Sequence, residues 1–132
     1  MSYNPITNPL NVAINEISTG GGKVDHYLSA GALPGDVVSA TPGKVTGWYI
    51  YNDQTTVARV AIYNSTSVPA LGSLTNLVLA IVVPPSAGAN VALPAGIQFS
   101  TGISFNIGSE VADNGTVAAT ASKVSVNIFY KN

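Results

Sequence analysis

Apolar and polar residues alternate with a period of two over much of this chain, the pattern of half-buried β-strands. Leu10, Val12 and Ile14 alternate with Asn11, Ala13 and Asn15. Lys23 to Ala30 repeats the pattern, with Val24, His26 and Leu28 on one face and Asp25 and Tyr27 on the other. Asp36 to Ala40 forms a short strand. Lys44 to Asn52, KVTGWYIYN, is rich in aromatic and β-branched residues that suit a pleated surface. Strict alternation there puts Val45, Tyr49 and Tyr51 on one face and Thr46, Trp48 and Ile50 on the other. Thr56 to Asn64 follows at hairpin distance, which predicts an antiparallel pair with the strand before it. Its Ala58, Val60 and Ile62 face opposite to Arg59, Ala61 and Tyr63. Lys123 to Tyr130 alternates at the C-terminal end, where a strand is usually held between neighbours.

Leu77 to Val83, LVLAIVV, breaks the rule. It does not alternate, so both its faces are expected to be dry, one against the core and one against a loop or a neighbouring subunit. Pro84-Pro85 end it, and a short strand, Asn90 to Leu93, follows a small-residue turn. One phrase then appears twice, as Gly96-Ile97-Gln98-Phe99 and Gly102-Ile103-Ser104-Phe105. Ser65 to Asn76 reads as a long connection across a sandwich, and Thr116 to Ser122 as strand or loop.

About eight strands with frequent Gly and Pro breaks define an all-β fold: an antiparallel β-sandwich of jelly-roll or Greek-key type. Residues 1–9, with Pro5 and Pro9, read as an extended N-terminal arm, and residues 10–132 as a single β-sandwich domain.

Composition changes this picture in one respect. Charged residues make up 8% of the chain, against about 25% in an ordinary globular protein. The surface must therefore consist of Ser, Thr, Asn, Gly and Ala, which protects poorly against association. Part of the surface is thus expected to be covered by partners, most simply copies of this chain. The expected interface residues are Trp48, Tyr51, Arg59, Leu77, Leu79 and Ile81. A net charge of −1 gives no footprint for nucleic acid or for an anionic membrane. Met1 to Pro5 shows no leader pattern, and the longest apolar run falls far short of the ~20 residues of a membrane helix.

Candidate chemistry is thin. There is no Cys. His26, the single imidazole, has Asp25 beside it in sequence, on the opposite face of the strand, so it reads as a structural or interface histidine. None of the acids Glu16, Asp25, Asp36, Asp53, Glu110 and Asp113 stands in an apolar strand setting expected to raise its pKa. Gly20-Gly21-Gly22-Lys23 lacks the first Gly and the following hydroxyl of a phosphate loop, and Asp113-Asn114-Gly115 lacks the other ligands of a calcium loop. The expectation is no enzyme, no metal and no cofactor. Trp48, Tyr49 and Tyr51 read first as packing residues, with stacking on sugars or a protein interface as the alternative.

Leu93 to Ser109 (LPAGIQFSTGISFNIGS), Gly47 to Asn52 (GWYIYN) and Val124 to Lys131 (VSVNIFYK) resemble strand phrases of small virion structural proteins of tailed bacteriophages. The resemblance implies a jelly-roll-like domain, a homotrimer, and a decoration or cement role on the outer head shell, bound to the major capsid protein or other virion proteins. It places the chain in the virion after synthesis in the host cytoplasm. A carbohydrate-binding tail or fibre domain is the alternative.

Overall fold

The computed structural model describes residues 22–31 and 33–132. The predicted arm at 1–9 and the strand at 10–15 lie outside them. Eight strands follow in order: β1 (Lys23–Leu28), β2 (Gly35–Ser39), β3 (Gly43–Asn52), β4 (Ala58–Tyr63), β5 (Leu77–Val83), β6 (Ala87–Phe99), β7 (Ile103–Gly108) and β8 (Val124–Lys131). The pairing is nested: β4 pairs with β5, β3 with β6, β2 with β7 and β1 with β8, all antiparallel. Rolling this long hairpin adds β3 beside β8 and β4 beside β7. The products are two four-stranded sheets, β1-β8-β3-β6 and β2-β7-β4-β5, in the order of a jelly roll.

Two expected connections differ. β3 and β4 do not form a hairpin; they lie in different sheets. Asn52 is the reason, because its side chain turns inward and is fully buried. Its Nδ2 donates to the carbonyls of Thr56, Val83 and Pro84, and its Oδ1 accepts from the Gln54 amide. That web makes residues 53–57 a corner between sheets. Conversely, residues 64–76 do not cross the sandwich, since β4 and β5 are neighbours in one sheet.

The core lies between the sheets. Ile50, Val60, Ile62, Phe99, Ile103, Phe105, Ile107, Val126 and Ile128 are all buried there. Both copies of the repeated phrase serve it, the first ending β6 with Phe99 and the second opening β7 with Ile103 and Phe105. Val45 is in the same core, not on the face of Tyr49 and Tyr51. A bulge causes this, because Val45 pairs with Tyr130 and Gly47 with Phe129, leaving Thr46 unpaired. The extra residue reverses facing on one side of it. On the β6 side the register jumps from Ile97 to Ala92. Pro94, which has no amide hydrogen, falls in that gap.

The outer face of the β2-β7-β4-β5 sheet is covered by the chain itself over its two inner strands. Loops 64–76 and 109–123 lie over β4 and β7, and every residue of those two strands is buried. The Tyr63 hydroxyl donates to the Ser73 carbonyl at 2.8 Å, and Asn106 Nδ2 donates to the Pro69 and Ala70 carbonyls. Arg59, with no exposed surface, donates through Nη1 to the carbonyls of Glu110 (2.8 Å) and Ala112, and through Nη2 to that of Gly115 (3.1 Å). Its guanidinium fork thus organises the 109–123 loop by hydrogen bonds that are stronger than neutral ones.

Replacement of Arg59 by Ala removes the donors to the Glu110 and Gly115 carbonyls and leaves that of Ala112 with the Gly115 amide alone. At about 1–3 kcal/mol for a stranded group, the expected loss of unfolding free energy is roughly 3 kcal/mol or more. Chemical denaturation measures it, and amide exchange at residues 115–119 should accelerate first.

Candidate functional site

Three features stand apart from ordinary core and loop: the open face of one sheet, a pair of carboxyls, and the free edge at β5.

The face is the outer side of β1-β8-β3-β6, over which none of the described loops lies. Cross-strand pairing sets three rungs across it. They are Val24–Phe129–Gly47–Ala92, His26–Asn127–Tyr49–Asn90 and Leu28–Ser125–Tyr51–Gly88. Antiparallel partners project to the same side, so each rung is a row of neighbouring side chains. Tyr49, Tyr51 and Phe129 are 47%, 40% and 40% exposed. No Lys, Arg, Asp or Glu stands on the rungs. A shallow groove of about 390 Å³ runs between Tyr49, Phe129 and Ala92, with Thr46, Trp48, Asn90 and Val91 completing its walls. Gly47, between β6 and β8, has no room for a side chain, since a Cβ there would stand 2.5 Å from the Val91 carbonyl.

The middle rung is fixed by hydrogen bonds. Asn127 Nδ2 donates to the Tyr49 carbonyl at 3.2 Å, which turns Oδ1 toward His26 Nδ1 at 2.9 Å. An amide oxygen only accepts, so Nδ1 carries the proton and donates. In neutral His26 this leaves Nε2 a free acceptor.

The carboxyls are those of Asp25 and Asp36. Asp25 is on the inward side of β1, paired with Ile128, and Asp36 is paired with the core residue Phe105. Each thus turns toward the interior at the mouth between the two sheets. The Asp25 carboxyl is pushed up to about 6 by burial, by its hydrogen bond to Asp36 and by the charge of Asp36, against a smaller opposing pull from His26. Asp25 Oδ2 is sealed from solvent and has no donor while both groups are ionised. One shared proton supplies the missing bond. Burial, with Asp36, also raises the Tyr27 hydroxyl, which donates to the Leu33 carbonyl at 2.6 Å. The expectation that no acid stands in a pKa-raising strand setting is therefore corrected for Asp25. Its apolar surroundings come from β8 and β7, far away in sequence. Among the described residues no three of His, Cys, Asp or Glu gather as a metal site.

Among the described residues β5 is an edge strand, paired only with β4. Leu79 and Ile81 pack against the core, and Val83 is buried within it. The outward positions are Val78 and Val82, 43% and 42% exposed. Only one side of this strand is dry; within the described chain the other has no cover.

The predicted interface residues thus separate. Arg59 is enclosed by its own loop, Trp48 packs partly on the core while lining the groove, Tyr51 is exposed on the open face, and Leu77, Leu79 and Ile81 are half-buried along β5. Sequence reading missed Phe129, Asn127 and Asn90 as companions of Tyr49. Phe129 on an otherwise polar strand face was the available signal. Comparison with known protein families, with curated proteins and with solved structures returned no match.

The Asp25 shift has a defined sign. Its folded pKa, about 6, exceeds the ordinary aspartate value of 3.8, so the protonated carboxyl stabilises the fold fully below about pH 3.8 and that contribution is lost as pH rises through 6. Asp25→Asn keeps the neutral form at all pH. It is expected to stabilise the protein at pH 8 by about 1 kcal/mol, allowing for solvent screening of a half-exposed group, and to change little at pH 4. Thermal melts across that range measure the difference.

Proposed function

We propose that this chain is a non-enzymatic structural subunit of a tailed-phage virion, a decoration or cement protein that bridges subunits on the outside of the head. The observation that carries this reading is the β5 edge. It is seven residues long, wholly apolar and without a charge, Gly or Pro within it. Its backbone is open on one side and Val78 and Val82 face outward beside it. Such an edge is prone to further pairing unless it is covered. In a chain that is only 8% charged, nothing at this edge opposes association. A sister subunit covers it most economically, in a closed ring that we take to be a trimer. The jelly roll supports the reading without deciding it, since that fold serves viral capsids, lectins and cupins alike.

Sedimentation of the purified chain at micromolar concentration is expected to show a discrete oligomer. Val82→Lys, an edge charge at a half-exposed site, should convert it to a folded monomer. Decorated particles imaged by cryo-electron microscopy should show the chain on the head surface. A monomer without affinity for capsids sinks the proposal.

A further inference from the structure

We infer that the outer face of β1-β8-β3-β6 is a binding platform for neutral oligosaccharides, centred on the groove between Tyr49 and Phe129. The inference goes beyond the structural role and does not depend on it, because this face and the β5 edge belong to different sheets.

Contrast between the two outer faces comes first. One is roofed by loops that use Arg59, Tyr63 and Asn106 as ties. On the other, the rings of Tyr49, Tyr51 and Phe129 remain exposed, with Val24 and Leu28 exposed beside them. Exposed rings on adjoining strands form a patch, and patches of this kind mark binding surfaces.

Charge complementarity then selects the occupant. No ionised Asp, Glu, Lys or Arg lies on the three rungs, so nothing there recognises a phosphate, a carboxylate or a cationic peptide. Charges stand beyond the rungs at both ends of the sheet: Lys44 and Lys131 are paired at one end, and Lys123, bridged to Asp53, follows the Tyr51–Ser125 pair at the other. A purely apolar partner fits no better, because the middle rung is polar from edge to edge. That rung presents His26 Nε2 as an acceptor, the second Asn127 Nδ2 hydrogen as a donor, the Asn90 amide as both and the Tyr49 hydroxyl as both. A hydroxyl group also donates and accepts. A sugar ring carries several hydroxyls around a face of C–H bonds that lies flat on an aromatic ring. Donors and acceptors in one row, with Phe129 on one side and Tyr51 on the other, match that chemistry. The groove, at about 390 Å³, is within the range of small-ligand sites. His26 and Tyr49 hold the Asn127 amide from both ends, so its orientation is set before a ligand arrives.

The test uses the full chain, labelled with 15N and titrated with cellotetraose, mannotetraose, chitotetraose and galactotetraose, and with a heparin tetrasaccharide as the anionic comparison. At least one neutral sugar is expected to shift the resonances of Tyr49, Asn90, Asn127 and Phe129 saturably. Tyr49→Ala should weaken that binding at least tenfold while the core methyl spectrum stays unchanged. Val82→Lys should leave it intact, which separates this site from the assembly edge. Absence of shifts with all four neutral sugars at 10 mM, shifts with heparin alone, or full affinity in Tyr49→Ala would overturn the inference. So would cover of the same face by a second copy or by residues 1–21, seen as contacts in the unliganded protein.

Discussion

A guanidinium with no exposed surface holds the β2-β7-β4-β5 side of this molecule together. Burying a charge is costly unless its donors are satisfied. Arg59 meets that requirement at Nη1 and Nη2, with backbone carbonyls at Glu110, Ala112 and Gly115 rather than with a carboxylate, while Nε has no partner among the described residues. The arrangement obliges the 109–123 loop to lie over β4, and the loop in turn shields the inner strands from water. Glu110 completes the fold of that loop by accepting the amides of Thr116 and Val117. One charged side chain thus helps to keep the inner strands β4 and β7 dry on both faces, in a sheet that would ordinarily have one wet face.

Neutral polar side chains play the same part elsewhere. Gln54 accepts from Thr120 and Ser109, Ser29 receives the amides of Lys123 and Val124, and Asn64 receives those of Thr101 and Gly102. Each joins two segments distant in sequence. This explains how a chain so poor in charge builds an ordered outside: amides and hydroxyls are spent on backbone groups that would otherwise lack partners. A single ion pair, Lys123 with Asp53 at 3.7 Å, occurs among the described residues, and both of its side chains are largely exposed. Exposed pairs of that kind contribute little.

Two uncovered regions follow from the same economy. The loops that roof one sheet do not reach over β5, and none of the described loops roofs the other sheet. Apolar valines remain along one border and tyrosines and a phenylalanine across one face. The first suits association through backbone and aliphatic contact. The second, with its uncharged polar centre rung, suits a ligand of hydroxyls.

Much of this was readable from the chain alone. Hydrophobic patterning located β1 to β5 and β8 within a few residues, β5 as an unbroken apolar run, while β6 (Ala87–Phe99) extends well beyond the expected Asn90 to Leu93. Alternation set the faces of β1, β4 and β8 correctly, because side-chain direction in a strand is a local property. The need of Arg59 for a partner was equally plain from its place between Val57 and Ala61. What alternation could not carry was anything set by pairing between distant segments. The bulge at Thr46 moved Val45 into the core, Asn52 turned an expected hairpin into a corner, and β8 and β7 supplied the apolar walls that raise Asp25. The amino-acid order by itself determined which segments are strands and which side of each is oily. Only the tertiary structure decided which strands are neighbours, and therefore which oily sides are hidden and which aromatic rings stand together in the open, because those outcomes depend on register across loops and not on any local preference.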